Sequence, residues 1–132
     1  MTPDPSTKLG VFCTAPAIRN LPANLLTEII ATTCLIVVGS TFSSKAVSST
    51  GLAIGLGPWF WGALVWAIGL GLGGPTGYAL NPARDFGPRL AHAILPISGK
   101  GKSDWGYALV PIVGPLTAGC IGAGIIKLAG IR

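Results

Sequence analysis

Two residues of this chain could act by hydrogen-bond donation instead of bond making. Asn81, followed by Pro82, and Arg84 lie in Gly77–His92, GYALNPARDFGPRLAH, a polar patch between two long apolar runs. Asn is a favoured N-cap, and proline at the first helical position gives up no hydrogen bond it would have made, so Asn81-Pro82 reads as a helix start. The helix it opens, about Pro82 to Ile94, would be roughly 18 Å long, about half of a hydrocarbon core of roughly 30 Å. A helix start carries free N–H groups and about half a positive charge, so Arg84 at the third helical position works against helix stability and needs another purpose. A half-length helix that begins deep in a membrane beside a guanidinium presents donors to a solute in passage. Catalysis is not expected. His92 is the single histidine, read as a polar residue on the half-helix, and no nucleophile, acid pair or metal cluster accompanies it.

The composition places that helix in lipid. Of 132 residues, 50% are hydrophobic and 10% charged, against about 25% charged in an ordinary soluble domain; mean hydropathy is +0.66. The 20 glycines and 11 prolines lie among Leu, Ile, Val and Ala, which suits transmembrane helices and argues against a disordered linker. The net charge of +5 comes from nine Lys and Arg scattered singly, so no nucleic-acid surface is expected. Cys13, Cys34 and Cys120 form no ligand spacing with His92; Cys34 and Cys120, inside apolar runs, read as small packing residues. No metal or cofactor is expected. No basic leader with an apolar run is seen before residue 20, so insertion is expected to rely on the first span.

The elements that must position Asn81 and Arg84 are apolar runs long enough to cross a bilayer. Residues 1–20 read as a polar surface loop. The first span, residues 21–42, holds Glu28, the single carboxylate in any apolar run. An acid at that depth is costly unless paired, so Glu28 is expected to face inward and accept hydrogen bonds from non-helical backbone. The second span covers residues 57–73. Pro58 opens its helix, Trp59-Phe60-Trp61 would lie at headgroup depth, and Ala63, Ala67 and Gly71, with Gly69 and Gly73, make two small-residue faces. Gly74-Pro75-Thr76-Gly77 reads as a helix break, with extended backbone to Leu80 whose carbonyls are candidate acceptors beside a water-filled cavity. The third span, residues 107–129, has Pro111 and Pro115 as bends and Gly114, Ala118 and Gly122 on one face. With Pro82–Ile94 as a re-entrant half-span, the fold expected is an all-α membrane protein of three transmembrane helices, its termini on opposite sides.

Asn81-Pro82-Ala83-Arg84-Asp85-Phe86-Gly87-Pro88 closely resembles the second NPA box of the aquaporin superfamily, and Asp85 after Arg84 resembles the aquaglyceroporin branch, the glycerol uptake facilitators. The likeness runs from about Leu9 to the end and takes in Glu28, the proline-glycine bend before the box and the run Val-Pro-Ile-Val-Gly-Pro at 110–115. By this resemblance, Asn81 is the asparagine whose amide donates to the permeant at the channel centre. Arg84 is the selectivity-filter arginine, which donates to solute hydroxyls and repels cations. The filter position that is histidine in water-selective relatives, twelve before the asparagine, is Gly69 here; a missing side chain implies a wider constriction suited to a three-carbon polyol. Tyr78 stands where glycerol facilitators usually carry phenylalanine, a departure that adds a hydroxyl. The carbonyls of Gly77, Tyr78 and Ala79 match an acceptor ladder, Asp85 would steady the loop near Arg84, and Glu28 matches the acid that holds the re-entrant backbone.

The resemblance implies passive conduction of glycerol and other small neutral solutes, with some water, across a cell membrane by homotetramers of complete pores. Family members hold two inverted repeats, and the likeness is to the second alone. This chain would therefore supply half of a pore, with the first repeat or another copy as partner. The competing reading is a non-conducting, membrane-embedded assembly partner. An ion-coupled transporter would need further intramembrane acids beside Glu28.

Overall fold

A computed structural model of the chain describes residues 4–46 and 49–131. Residues 1–3 of the expected N-terminal loop, 47–48 of the loop between the first two spans, and the closing Arg132 lie outside them. The helices are α1 (Pro5–Phe12), α2 (Leu21–Thr41), α3 (Leu56–Thr76), α4 (Pro82–Ile94) and α5 (Leu109–Leu128), and no strand occurs among the described residues. α2, α3 and α5 are long and apolar enough to cross a membrane. At 13 residues, α4 falls well short of the roughly 20 that a span needs.

α2 is the hub: it packs most extensively on α5 and, on another flank, on α3, while α4 rests on α5 and α1 on α4. Lipid offers no hydrophobic drive between helices, so close approach through small residues supplies the contact. A Cβ at Gly114 would stand 2.9 Å from Glu28 Cγ, one at Gly122 would stand 2.9 Å from Ile36 Cγ2, and Ala118 between them is wholly buried. The face Gly114, Ala118, Gly122 is thus turned to α2. Gly39 makes room for the indole of Trp61, which also meets Phe42 edge-on at 5.7 Å. Trp61 therefore packs between helices instead of serving only as a headgroup anchor.

Elsewhere the structure departs from the sequence reading. Residues 5–12 are helical, not loop: Asp4 caps α1 by accepting from the Ser6 N–H at 3.1 Å, and Pro5 takes the first helical position, the pairing that suits a helix start. α3 does not stop at Gly73 but runs through Pro75 to Thr76. Side chains of other elements satisfy its last carbonyls, since Asn24 Nδ2 donates to Pro75 O at 2.5 Å and Tyr107 OH to Thr76 O at 2.7 Å. The stretch that follows is not extended: φ is +80° at Gly77, +63° at Tyr78 and +55° at Leu80, the left-handed region that non-glycine residues enter only when their surroundings hold them there. The small-residue face of α3 at Ala67 and Gly71 is exposed, and a Cβ at Gly71 would meet nothing within 4 Å among the described residues. Cys34 packs beside the core of Ala31, Ile68 and Leu80, whereas Cys120 is exposed and is not a packing residue here.

Candidate functional site at the start of a half-helix

α4 begins where the left-handed turns end. Asn81 is its N-cap, with extended backbone and a side-chain oxygen that accepts from the Ala83 N–H at 2.9 Å. That bond commits the amide oxygen, so the amide NH₂, which has no partner among the described residues, is the end left to donate. Arg84, one turn along, is exposed. Its guanidinium lies 5.5 Å from the centre of the Tyr78 ring and makes no hydrogen bond among the described residues. It borders a cleft of about 420 Å³ walled by residues 10–15, Gly77 and Pro88.

Tyr78 and Gly69 meet directly. A Cβ at Gly69 would lie 3.0 Å from the tip of the Tyr78 ring, and one at Gly73 would lie 3.2 Å from Tyr78 Cβ. The Tyr78 ring therefore occupies the space beside Gly69. The added hydroxyl is spoken for as well, because it donates to the Val65 carbonyl. Tyr78 thus presents the ring that a phenylalanine would present, anchored at its far end.

Behind the turns, Glu28 is wholly buried and accepts from the Leu80 N–H, which gives the left-handed backbone its fixed partner. The carbonyls of Gly77, Tyr78 and Ala79 accept no hydrogen bond among the described residues. Three acceptors, a free amide NH₂ and a free guanidinium therefore occur along one short stretch. An unpaired carbonyl shut away from water is unfavourable by about 1–3 kcal/mol, so this stretch needs water or a polar solute beside it.

Asp85 acts on the segment that borders Arg84 and not on the Arg84 side chain. Its carboxylate is wholly buried, pairs with Arg89 Nε at 2.7 Å and Nη2 at 2.7 Å, and accepts from the Thr14 N–H at 2.8 Å and hydroxyl at 2.6 Å. Arg89 is equally buried. It also donates to the carbonyls of Thr14 at 3.0 Å, Ser103 at 2.7 Å and Asp104 at 2.8 Å. His92, the next turn along, bonds Ser103 Oγ through Nδ1 at 2.8 Å and takes the Phe12 ring edge-on. Beside this cluster, burial pushes the Cys13 thiol up from its ordinary value, with the Arg89 guanidinium pulling the other way. α4 is accordingly amphipathic inside out: Asp85, Arg89 and His92 are at 0% exposure, while Phe86, Leu90 and Ile94 are 46%, 42% and 73% exposed. The sequence reading passed over Arg89 and Thr14. The four-residue spacing of Asp85 and Arg89 was the available signal, since such pairs meet on a helix surface.

The chain matches the family described as Major intrinsic protein over residues 3–126. It is 59% identical to the probable glycerol uptake facilitator protein of Thermotoga maritima, an alignment covering 94% of this chain and 51% of that protein. To the glycerol uptake facilitator protein of Bacillus subtilis it is 51% identical, covering 92% and 42%. To the D/L-lactic acid transporter of Lactiplantibacillus plantarum it is 48% identical, covering 90% and 48%. The chain thus spans about half the length of the curated relatives it matches. With three helices of membrane-crossing length and a family match over most of its residues, this chain belongs to the major intrinsic protein family, membrane proteins of aquaporin-like fold.

Proposed function

We propose that this chain supplies one half of a passive pore for glycerol and similar small neutral solutes, with some water, and that a complementary first repeat or a second copy completes the lining. Complete pores would assemble as homotetramers, as the resemblance implies. The observation that carries this reading is the contrast between two arginines. Arg89 spends all five N–H donors on the protein, whereas the Arg84 guanidinium spends none among the described residues and stands exposed by the Tyr78 ring, three positions after Asn81. In this mechanism the solute's hydroxyls replace their hydration with donors from Asn81 and Arg84 and acceptors at residues 77–79, and its carbon skeleton slides past the Tyr78 ring. The half-helix start and Arg84 oppose cations.

The test is stopped-flow volume recovery of proteoliposomes under a glycerol gradient, with the chain alone and with the chain co-reconstituted with the first half of a relative. Paired vesicles are expected to recover; failure of the paired vesicles would favour the non-conducting partner reading. Because two of the relatives are named for glycerol and one for lactic acid, lactic acid uptake is measured alongside. Gly69→His is expected to slow glycerol by about tenfold, a barrier change of about 1.4 kcal/mol, because an imidazole there needs the space held by the Tyr78 ring. Unchanged glycerol flux in that variant would remove Gly69 and Tyr78 from the filter.

A further inference from the structure

The buried pair on α4 has no part in the passage just described, yet among the described residues it is the most heavily hydrogen-bonded pair of side chains. Its partners outside α4 are Thr14, on the N-terminal side of α2, and Ser103 and Asp104, which precede α5. Asp85 takes both the backbone N–H and the hydroxyl of Thr14, and Arg89 takes the Thr14 carbonyl. Residue 14 is therefore held by every polar group it has. From Thr14 the chain passes Ala15, whose backbone lies so close to Gly77 that a Cβ there would stand 2.5 Å away, and reaches Ala17, whose N–H donates to Gly74 O at 3.1 Å. Residues 13–17 thus form a strap, pinned at one end to α4 and at the other to the close of α3. That strap walls the cleft onto which Arg84 opens.

We propose that Asp85 and Arg89 are positioning residues: they fix the strap through Thr14 as the rigid wall of the cleft in front of Arg84, and so set the width available to a solute approaching the filter. The last clause rests on the pore reading; the fixing of the strap does not. A hydroxyl donating to a buried, ionised carboxylate is among the stronger hydrogen bonds in a protein, and five guanidinium donors in a planar fork allow little choice of geometry.

Thr14 offers a test that separates hydrogen bonding from shape. Valine copies the outline of threonine and lacks the hydroxyl, whereas serine keeps the hydroxyl and loses a methyl. With Cys34 and Cys120 replaced by alanine, the one remaining thiol is Cys13, buried at the start of the strap. A charged methanethiosulfonate reagent then reports how often the strap opens in the purified full chain. Thr14→Val is expected to label about tenfold faster than the parent, the scale of one lost charge-assisted hydrogen bond, and Thr14→Ser to stay within about twofold. Equal rates in all three chains, or serine labelling faster than valine, would overturn the proposal and leave Thr14 a packing residue. In paired proteoliposomes the flux ratio of a five-carbon polyol to glycerol is expected to rise in Thr14→Val and not in Thr14→Ser. Because it is a ratio, it does not depend on how many channels fold, and an unmoved ratio would reject the width-setting role. Absence of all glycerol flux in the parent would count against the pore reading, while the labelling rates still decide whether the strap is fixed.

Discussion

Replacing Arg89 with methionine is expected to destabilise the chain by about 3–5 kcal/mol, the usual consequence of leaving one partner of a buried ion pair without the other. The Asp85 carboxylate would keep only its two Thr14 donors, the carbonyls of Thr14 and Ser103 would lose theirs, and that of Asp104 would keep only the Tyr107 N–H. Methionine follows the path of the arginine stem and fills much of its volume, so the loss is chiefly electrostatic. Asp85→Leu combined with Arg89→Met removes the orphan charge and is expected to recover roughly 2 kcal/mol or more of the loss, since apolar replacements of a whole pair are often neutral. Unfolding in mixed dodecylsulfate micelles, followed by circular dichroism, supplies the numbers. A single variant within about 1 kcal/mol of the parent would mean that the pair is hydrated and not structural.

Arg84→Ala is expected to act in the opposite manner, with little change in stability and a large change in what passes. The side chain makes no hydrogen bond among the described residues, and its one described contact, with the Tyr78 ring at 5.5 Å, accounts for about 0.5–1 kcal/mol at an exposed site. Its removal takes a unit positive charge from the proposed constriction. At about 4 Å and an effective dielectric near 20 that charge repels a cation by about 4 kcal/mol, so leak should rise by roughly two to three orders of magnitude. The half-helix start retains part of the barrier. Discrimination between glycerol and larger polyols should fall with it. Conductance across planar bilayers and stopped-flow recovery measure the two effects, and a variant that still excludes cations would show that Arg84 lies off the solute path.

Much of this arrangement is written in local signals. Asn81-Pro82 marks a helix start because cap and ring act within a few residues, and an acid in an apolar run demands an inward partner, which Glu28 finds at Leu80. Asp4-Pro5 carries the same kind of start signal, and the polar composition of residues 1–20 hid it. What local signals could not convey was the reach of side chains across elements. α3 continues past Gly73 because Asn24 and Tyr107, from two other segments, supply donors to its last carbonyls; the propensity of Gly-Pro alone argues for a break. Whether the space at Gly69 stays open depends on a ring nine residues away that swings back through a left-handed turn, and Tyr78 is not a residue that announces such a turn. That Asp85 steadies the loop near Arg84 came from the resemblance; the residues through which it does so did not. The helix sends adjacent residues to different faces, and Asp85 binds the residue four positions on.

The dependence of Arg89 on Ser103 and Asp104 also sets an order of events during synthesis. Ser103 lies 14 residues after Arg89, beyond the end of α4, so when the half-helix leaves the ribosome two of the acceptors for its guanidinium are still inside the exit tunnel. Until they emerge, the inward face of α4 carries charge without its full complement of partners and is better kept at the aqueous boundary. Seating of the half-helix is therefore expected to wait for residues 103–104, and a nascent chain stalled with α4 outside the tunnel and residue 103 still within it should hold α4 in a place from which water-soluble reagents can reach it.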